Sequence, residues 1–363
     1  MSLIYQIALT LIKNVGAVTA KHLLSHFGTP EAIFAASKVQ LAGVEGLSIS
    51  KITAILQTNA LKLAAEQLDL LQQHQIKVLF YTDEDYPQRL KECTDAPVLL
   101  YYKGTVNLNH PRIVSVVGSR NATPYGKMLC QQLVALLQHY DVLVVSGLAY
   151  GIDVTAHQQS LAYGIPTVGV LGHGLDRIYP ATHHQVAKAM LQQGGLLSEY
   201  PLNTAAEKGN FPKRNRIVAG LADVVVVVEA AIKGGALITA GIANSYHREV
   251  YAFPGRTTDE YSQGCNFLIK TNRAGMINEA RDLVYYMGWE AADTVSPVRK
   301  ENLPSGLSGI EHVLINLLKT APHSIDDLGL KADIQQGKLA LHLLNLEMKG
   351  VLISLPGKIY QLI

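Results

Sequence analysis

The sequence predicts an α/β protein built on a doubly wound parallel sheet, on three observations. Between residues 111 and 290, short Val-rich runs alternate with segments of helical spacing; strands alternating with helices imply a parallel sheet covered on both faces. The strand-like runs are continuously apolar, as in Val224–Val228, which is the pattern of strands buried on both sides. Four of them end in Gly-bearing loops, "VVGSRNATPYG", "VSGLAYGID", "VLGHGLDRIYP" and "VEAAIKGGALITA". Loops at the carboxyl ends of the strands are where such sheets hold ligands.

Composition sets the bounds. The 363 residues suit two or three domains, and 48% hydrophobic against 17% charged residues is a globular balance. The 31 Lys and Arg against 29 Asp and Glu give a net charge of +2. That total neither demands nor excludes a nucleic acid, because a basic pocket can hide in it. Cys93, Cys130 and Cys265 have no metal-type spacing and are too few for a disulfide framework. No run approaches the roughly 20 apolar residues of a membrane helix, and the apolar N-terminus lacks the basic start and small-residue cleavage site of a secretion signal. The expectation is a soluble, cytoplasmic chain with no metal, no cofactor and no membrane partner.

Residues 1–65 read as short helices. "LIYQIALTLI" has helical spacing, "KNVGAVTAKHLLSHFG" places a Gly turn before a second helix, and "LAGVEGLSISKITAIL" repeats the pattern with Ser48 or Ser50 as N-cap. The two units are similar to helix-hairpin-helix pairs, whose turns can offer N–H groups to a phosphate; a ligand-free helical packing module accounts for them equally. Residues 66–110 give a helix, the strand "KVLFY" and a turn-rich stretch entering the next strand. The strands "RIVSVVG", "DVLVVSG", "PTVGVLG", "GLLSEY", "ADVVVVVEA" and "EVYAFPG" follow, with helices from about Tyr125 to His139, around "DVTAHQQSLAYG", through "HHQVAKAMLQQGG" and from about Leu237 to Tyr246. Residues 291–307 are polar with Pro and Ser, hence a linker. Residues 308–363 read as helix, helix, helix, strand, Gly turn, strand, the layout of a winged helix. The fold class is thus α/β: a Rossmann-like doubly wound parallel sheet over residues 66–290, with an N-terminal helical module, helix-hairpin-helix or SAM-like, and a C-terminal winged-helix domain.

The chemistry gathers at the strand ends. After the first long strand, Gly118 permits a tight turn, Ser119 and the next N–H groups can cradle an oxyanion at the helix start, and Arg120 can grip phosphate bidentately. Gly234 and Gly235 open a later helix. No G-x-G-x-x-G with an acid about 20 residues on, and no G-K-[ST], is present, so this is neither a dinucleotide fingerprint nor a Walker loop. The stretch "EKGNFPKRNR" sits near the same rim, with cations Lys208, Lys213, Arg214 and Arg216, a stacking face on Phe211 and a polar edge-reader in Asn215. Cations interleaved with an aromatic suit single-stranded nucleic acid better than a small anion. At least one of these arginines, Arg216, is expected to pair with Glu199, Glu229 or Asp223. Asp153 and His157 are one helical turn apart, but no nucleophile accompanies them, so capping and packing are expected. His183 and His184 lack a third metal ligand and read as a solvated face.

Seven motifs in order then carry a resemblance over roughly residues 80–280: "VVGSRNATPYG", "VVSGLAYGIDVTAHQQSLAYGIPTVGVLGHGLDRIYP", "LLSEYP", "FPKRNRIVAGLADVVVVVEA", "GGALITA", "YAFPG" and "GCNFLI". Together they resemble the DNA-processing protein A (DprA, or Smf) family. The resemblance implies a non-enzymatic protein that binds single-stranded DNA, protects incoming strands in natural transformation and loads the RecA recombinase. It places the DNA pocket on Gly118, Ser119, Arg120, Lys208, Phe211, Arg214, Asn215, Arg216, Gly234 and Gly235. It also implies a homodimer and a RecA contact near Asn266–Ile269, through Asn266, Phe267 and Ile269, and adds a single-strand-binding protein to the candidate partners. Gly234-Gly235-Ala236 replaces the family's usual Ser-Gly-Ser and removes two hydroxyl donors. The competing reading is an enzyme similar to the Rossmann phosphoribohydrolases of nucleoside monophosphates, although "KGGALITA" lacks their Pro-Gly-Gly-x-Gly-Thr form.

Overall fold

The computed structural model describes residues 2–291, 307–319, 321–355 and 358–362. All but the two end residues of the expected linker lie outside these, as does the expected Gly turn between the last two strands. The chain divides into two compact units, Met1–Pro297 and Val298–Ile363.

The first unit opens with helices α1 (Leu3–Leu11), α2 (Ala17–Phe27), α3 (Pro30–Ala35), α4 (Lys38–Ala42), α5 (Ile49–Leu56) and α6 (Ala60–Gln73). Gly16 caps α2 and Ser48 caps α5, as the turn pattern predicts. The boundary expected at residue 65 falls inside α6. The helices also share a core with the sheet. Ile7, Leu9 and Leu23 are buried in one cluster with Leu148, Leu171, Met190 and Leu196.

Next come β1 (Lys77–Phe80), α7 (Gln88–Lys91), β2 (Leu99–Gly104), β3 (Arg112–Val117), α8 (Pro124–Leu137), β4 (Val142–Ser146), α9 (Ile152–Ala162), β5 (Thr167–Leu171), α10 (His184–Gln193) and β6 (Gly195–Ser198). They are followed by α11 (Asn210–Leu221), β7 (Val224–Val227), α12 (Gly235–Ser245), β8 (Glu249–Ala252), α13 (Gln263–Lys270), β9 (Gly275–Met276) and α14 (Ala280–Tyr286). The sheet order is β1-β2-β6-β5-β4-β3-β7-β8-β9. Strands β3 to β9 run parallel, with Ile113 opposite Leu143 and Ser115 opposite Val225. The six strands expected within residues 111–290 are all parallel, as the alternation predicts, and at the edge that precedes them in the chain β2 is antiparallel to both β1 and β6. Residues 81–98, with the four-residue α7 among them, join β1 to β2.

Continuous apolar runs are needed because alternate residues enter different cores. In β3, Ile113 and Val117 join one cluster and Val114 and Val116 another; β4 and β7 divide in the same way. The order places β3 at the switch, with β4, β5 and β6 laid down on one side and β7, β8 and β9 on the other. A crevice opens beyond the carboxyl ends of the strands at such a point.

The second unit comprises α15 (Gly309–Leu318), β10 (His323–Ser324), α16 (Ile325–Ala332), α17 (Gln336–Met348), β11 (Leu352–Leu355) and β12 (Ile359–Leu362). Its sheet order is β10-β12-β11. Leu314, Leu328, Leu339, Leu343 and Leu352 form its own core, giving the expected winged-helix layout.

Candidate nucleic-acid interface

An open pocket of about 570 Å³ lies in the crevice at the switch. Loops at the strand ends and two helix ends build it. The β3–α8 loop supplies Gly118, Ser119, Arg120 and Asn121; the β4–α9 loop supplies Gly147 and Ala149; the β7–α12 loop supplies Lys233 and Gly234. The start of α12 contributes Gly235 and Ala236, and α11 contributes Phe211, Arg214 and Asn215. From Asn210 onward the basic stretch is the first part of α11, and Lys208 precedes it. Four cations line the pocket (Arg120, Lys208, Arg214 and Lys233) against one carboxylate, Asp153.

The loop shapes follow from close approaches. Ser119 N–H donates to Glu229 O at 2.6 Å, and Ile152 N–H donates to Ser119 O at 3.1 Å. Gly151 has φ +76°, and a Cβ there would stand 2.1 Å from Ser119 O, so only glycine fits the turn. At Gly147 a Cβ would meet the Arg214 guanidinium at 2.3 Å. The absent side chain is what lets Arg214 reach inward. Among the described residues Glu229 pairs with no arginine; it accepts from Thr123 N at 2.9 Å and from Thr123 Oγ1 at 2.6 Å, fixing the start of α8.

The cations differ in kind. Arg120, Lys208 and Lys233 are exposed, and Arg120 stands 5.6 Å over the Phe211 ring, within cation–π range. Arg214 is only 3% exposed. Its Nη1 donates to Gly147 O at 2.6 Å and also to Val170 O. Burial pushes its pKa down, and the Asp153 carboxylate opposes that shift. Burial likewise pushes the Asp153 carboxyl up, with Arg214 drawing it back. Arg214 is a structural floor to the pocket rather than a free phosphate grip. Arg216 is the clear correction. It does not line the pocket; its Nη2 pairs with Glu199 Oε2 on a half-buried face, the carboxylate pairing expected of it. Asp223 instead binds Arg89 Nε at 2.6 Å.

The other expected residues are placed as follows. Asp153 and His157 serve packing: His157 Nδ1 lies 2.7 Å from Thr167 Oγ1, and burial holds its pKa down at about 3. His183 is not on a solvated face. It is buried, with Nδ1 2.9 Å from Leu148 O, because the chain after β5 folds back over the β4–α9 loop; His184 is exposed. Asn266 is turned to its own chain, its Nδ2 donating to Gly255 O at 2.9 Å. Ile269 packs on the core, and Phe267 lies half-buried under Arg273 at 5.9 Å. Sequence reasoning missed Lys233, Asn121, Tyr179 and Tyr261 in the pocket lining. Lys233 stood beside Gly234-Gly235 in the quoted loop and was the legible one. Tyr261 is held by Asn121, whose Nδ2 donates to its hydroxyl at 3.3 Å across 140 positions of chain. Among the described residues no cluster of three or more His, Cys, Asp or Glu could hold a metal ion, and no helix is long and apolar enough to cross a membrane.

Comparison with known proteins agrees with this geometry. The family model for DNA recombination-mediator protein A matches residues 77–288, a DprA winged helix domain matches 298–358, and a SAM-like helix-hairpin-helix tandem matches 7–58. The chain is 32% identical to Protein Smf of Synechocystis sp. over 98% of both chains. The solved structure of DNA processing protein A from Streptococcus pneumoniae is similar with a TM-score of 0.64 and 30% identity, covering 80% of this chain and 99% of that one. That of DNA processing protein A from Helicobacter pylori, described for its single-stranded DNA binding mode, has a TM-score of 0.55 and 30% identity over 60% of this chain and 98% of that one. With pocket, sheet and flanking modules all in place, the chain belongs to the DNA recombination-mediator protein A family.

Proposed function

We propose that this chain binds single-stranded DNA in the crevice at the β3/β7 switch and acts by binding rather than by catalysis. One observation carries the reading: three exposed cations and the N-terminus of α12 converge on a pocket with an aromatic ring in its wall. Phosphate is met by Arg120, Lys208, Lys233 and the amides at the helix start. A base is met by Phe211, with Asn215 at its polar edge. Relatives named as DNA processing proteins, one of them described for its single-stranded DNA binding, support the ligand class. The wider role follows the family: protecting incoming strands in natural transformation, handing them to the RecA recombinase, and acting in the cytoplasm as a homodimer with Phe267 of α13 at or near the contact.

The test is fluorescence anisotropy of a labelled oligothymidine across a salt series. Arg120→Ala and Lys208→Ala should each weaken binding and flatten the log–log salt dependence by about 0.7 for each phosphate that is no longer neutralised. Phe211→Ala should weaken it by about 1–3 kcal/mol with the salt slope unchanged, since stacking releases no counterions. Unchanged affinity in all three variants removes the pocket assignment. Release of free base from a nucleoside monophosphate would overturn the binding reading in favour of an enzyme.

A further inference from the structure

A strand seated in the pocket has neighbours on both sides, and the rim offers two exits, each marked by exposed tyrosines. On the β5 side, Tyr179 is 51% exposed, and its ring centroid lies 5.8 Å from that of Phe211 at a 34° tilt. The segment after it leads to Tyr150, 48% exposed. Tyr150 stands edge-on to His183 at 5.0 Å, and its hydroxyl accepts from Thr182 Oγ1 at 3.4 Å. One exposed ring thus touches Phe211, and a second is held by Thr182 and His183, three and four positions further along the chain. The local charge permits a phosphodiester backbone: Asp176 is bound by Arg177 at 2.9 Å and by Asn203 N at 2.8 Å, and Arg177 is exposed.

The β8 side differs. Tyr261 lines both the pocket and a neighbouring open hollow of about 1040 Å³ that also holds Tyr125, 49% exposed. Asp259 and Glu260 stand exposed at that hollow, with Arg256 as its one cation. With the buried Glu229, three carboxylates against one guanidinium line the hollow, and the excess of negative charge repels a polyanion at short range.

We infer that the strand leaves the pocket over Tyr179 and then Tyr150, each ring stacking one base that flanks the pocket-bound nucleotide, and that the acidic hollow at Tyr125 closes the other direction to tight contact. This rests on the single-strand reading of the pocket. Stacking is sequence-tolerant because every base has a π-face, so the track takes any single strand and excludes duplex, whose bases face inward.

The experiment measures affinity for an oligothymidine of about twelve nucleotides, long enough to overhang the pocket, and for a dinucleotide, which ends at Tyr179. Tyr150→Ala should weaken binding of the long strand about fivefold or more and leave the dinucleotide unaffected. Tyr150→Phe should bind like the wild type, and Tyr179→Ala should weaken the long strand. Tyr125→Ala should leave both ligands unchanged. A long strand made abasic on both sides of a central base should bind wild type and Tyr150→Ala equally. Weakened binding in Tyr125→Ala with none in Tyr150→Ala would overturn the direction, and three alanine variants indistinguishable from a wild type that does bind would remove the track alone. A wild type that binds no oligothymidine would remove the pocket reading, and the track with it.

Discussion

Arg214 and Arg216 sit two positions apart in "PKRNR" and do opposite work. Arg214 reaches under the pocket because Gly147 has no side chain to stop it, and its Nη1 donates to the carbonyls of Gly147 and Val170. Truncating it strands those carbonyls in the interior, so a binding defect in Arg214→Ala would mix stability with recognition, whereas Arg120 is exposed and tests recognition alone. Arg216 faces Glu199. Burial pushes the Glu199 carboxyl up and Arg216 pulls it back. Removing the cation therefore raises that pKa further. A raised carboxyl stabilises the fold at acid pH, where it is neutral, and that stability is lost as pH rises through the folded-state value. Arg216→Ala is expected to unfold close to the wild type at acid pH and to fall progressively below it toward neutral pH, by about 3 kcal/mol or more once the carboxylate is charged and unpaired. Urea unfolding at several pH values reads this directly; a gap between variant and wild type that does not widen with pH would mean that Arg216 is not what holds Glu199 ionised.

Elements bring these residues together through turns more than through propensity. The β4–α9 loop shows how. Gly151 adopts φ +76° and its missing Cβ leaves room for Ser119 O, which in turn accepts from Ile152 N. The same hydrogen bond braces the β3–α8 loop that presents Arg120. Gly151→Ala is expected to cost at least about 1–2 kcal/mol for the left-handed conformation alone, plus the clash. It should lower single-strand affinity as well, because the Ser119–Arg120 loop must move. A variant with wild-type melting temperature and affinity would show that the two loops do not lean on each other. The alternation of strands and helices, the Gly punctuation and the Val runs were all legible in the sequence, because each is a local pattern tied to burial on both faces of a sheet. The helical state of "FPKRNR" was not: Pro212 reads as a breaker, yet it occupies the first turn of α11, where its missing N–H leaves no helical partner unsatisfied. The reversal of β2 was equally hidden, since strand direction depends on the connection and not on strand composition.

At the scale of the whole molecule, the helical N-terminus and the sheet act as one body. Leu9 of α1 and Leu171 of β5 are both buried in the same cluster. Leu9→Ala and Leu171→Ala should each cost about 2–5 kcal/mol and should shift the same calorimetric transition. If Leu9→Ala moved a separate early transition and left the later one in place, the helices would be an independent domain. The winged-helix unit keeps a separate core. Over residues 308–363 its five lysines, Lys319, Lys331, Lys338, Lys349 and Lys358, are balanced by Glu311, Asp326, Asp327, Asp333 and Glu347. Cationic surface for a nucleic acid is therefore not concentrated there, and the pocket cations all belong to the first unit.

Taken alone, the sequence determined the fold class, the strand-end position of the pocket and nine of the residues that line it, because periodicity, Gly turns and runs of like charge act over a few residues and can be read in one dimension. Only the tertiary structure decided which cations face a ligand and which are tied to partners. Glu199 claims Arg216 and two carbonyls claim Arg214, while Tyr179, Lys233 and Tyr261 arrive at the rim from distant segments. Those outcomes depend on which groups are brought within hydrogen-bond distance and which lose their water, and both are properties of the packed chain rather than of its order.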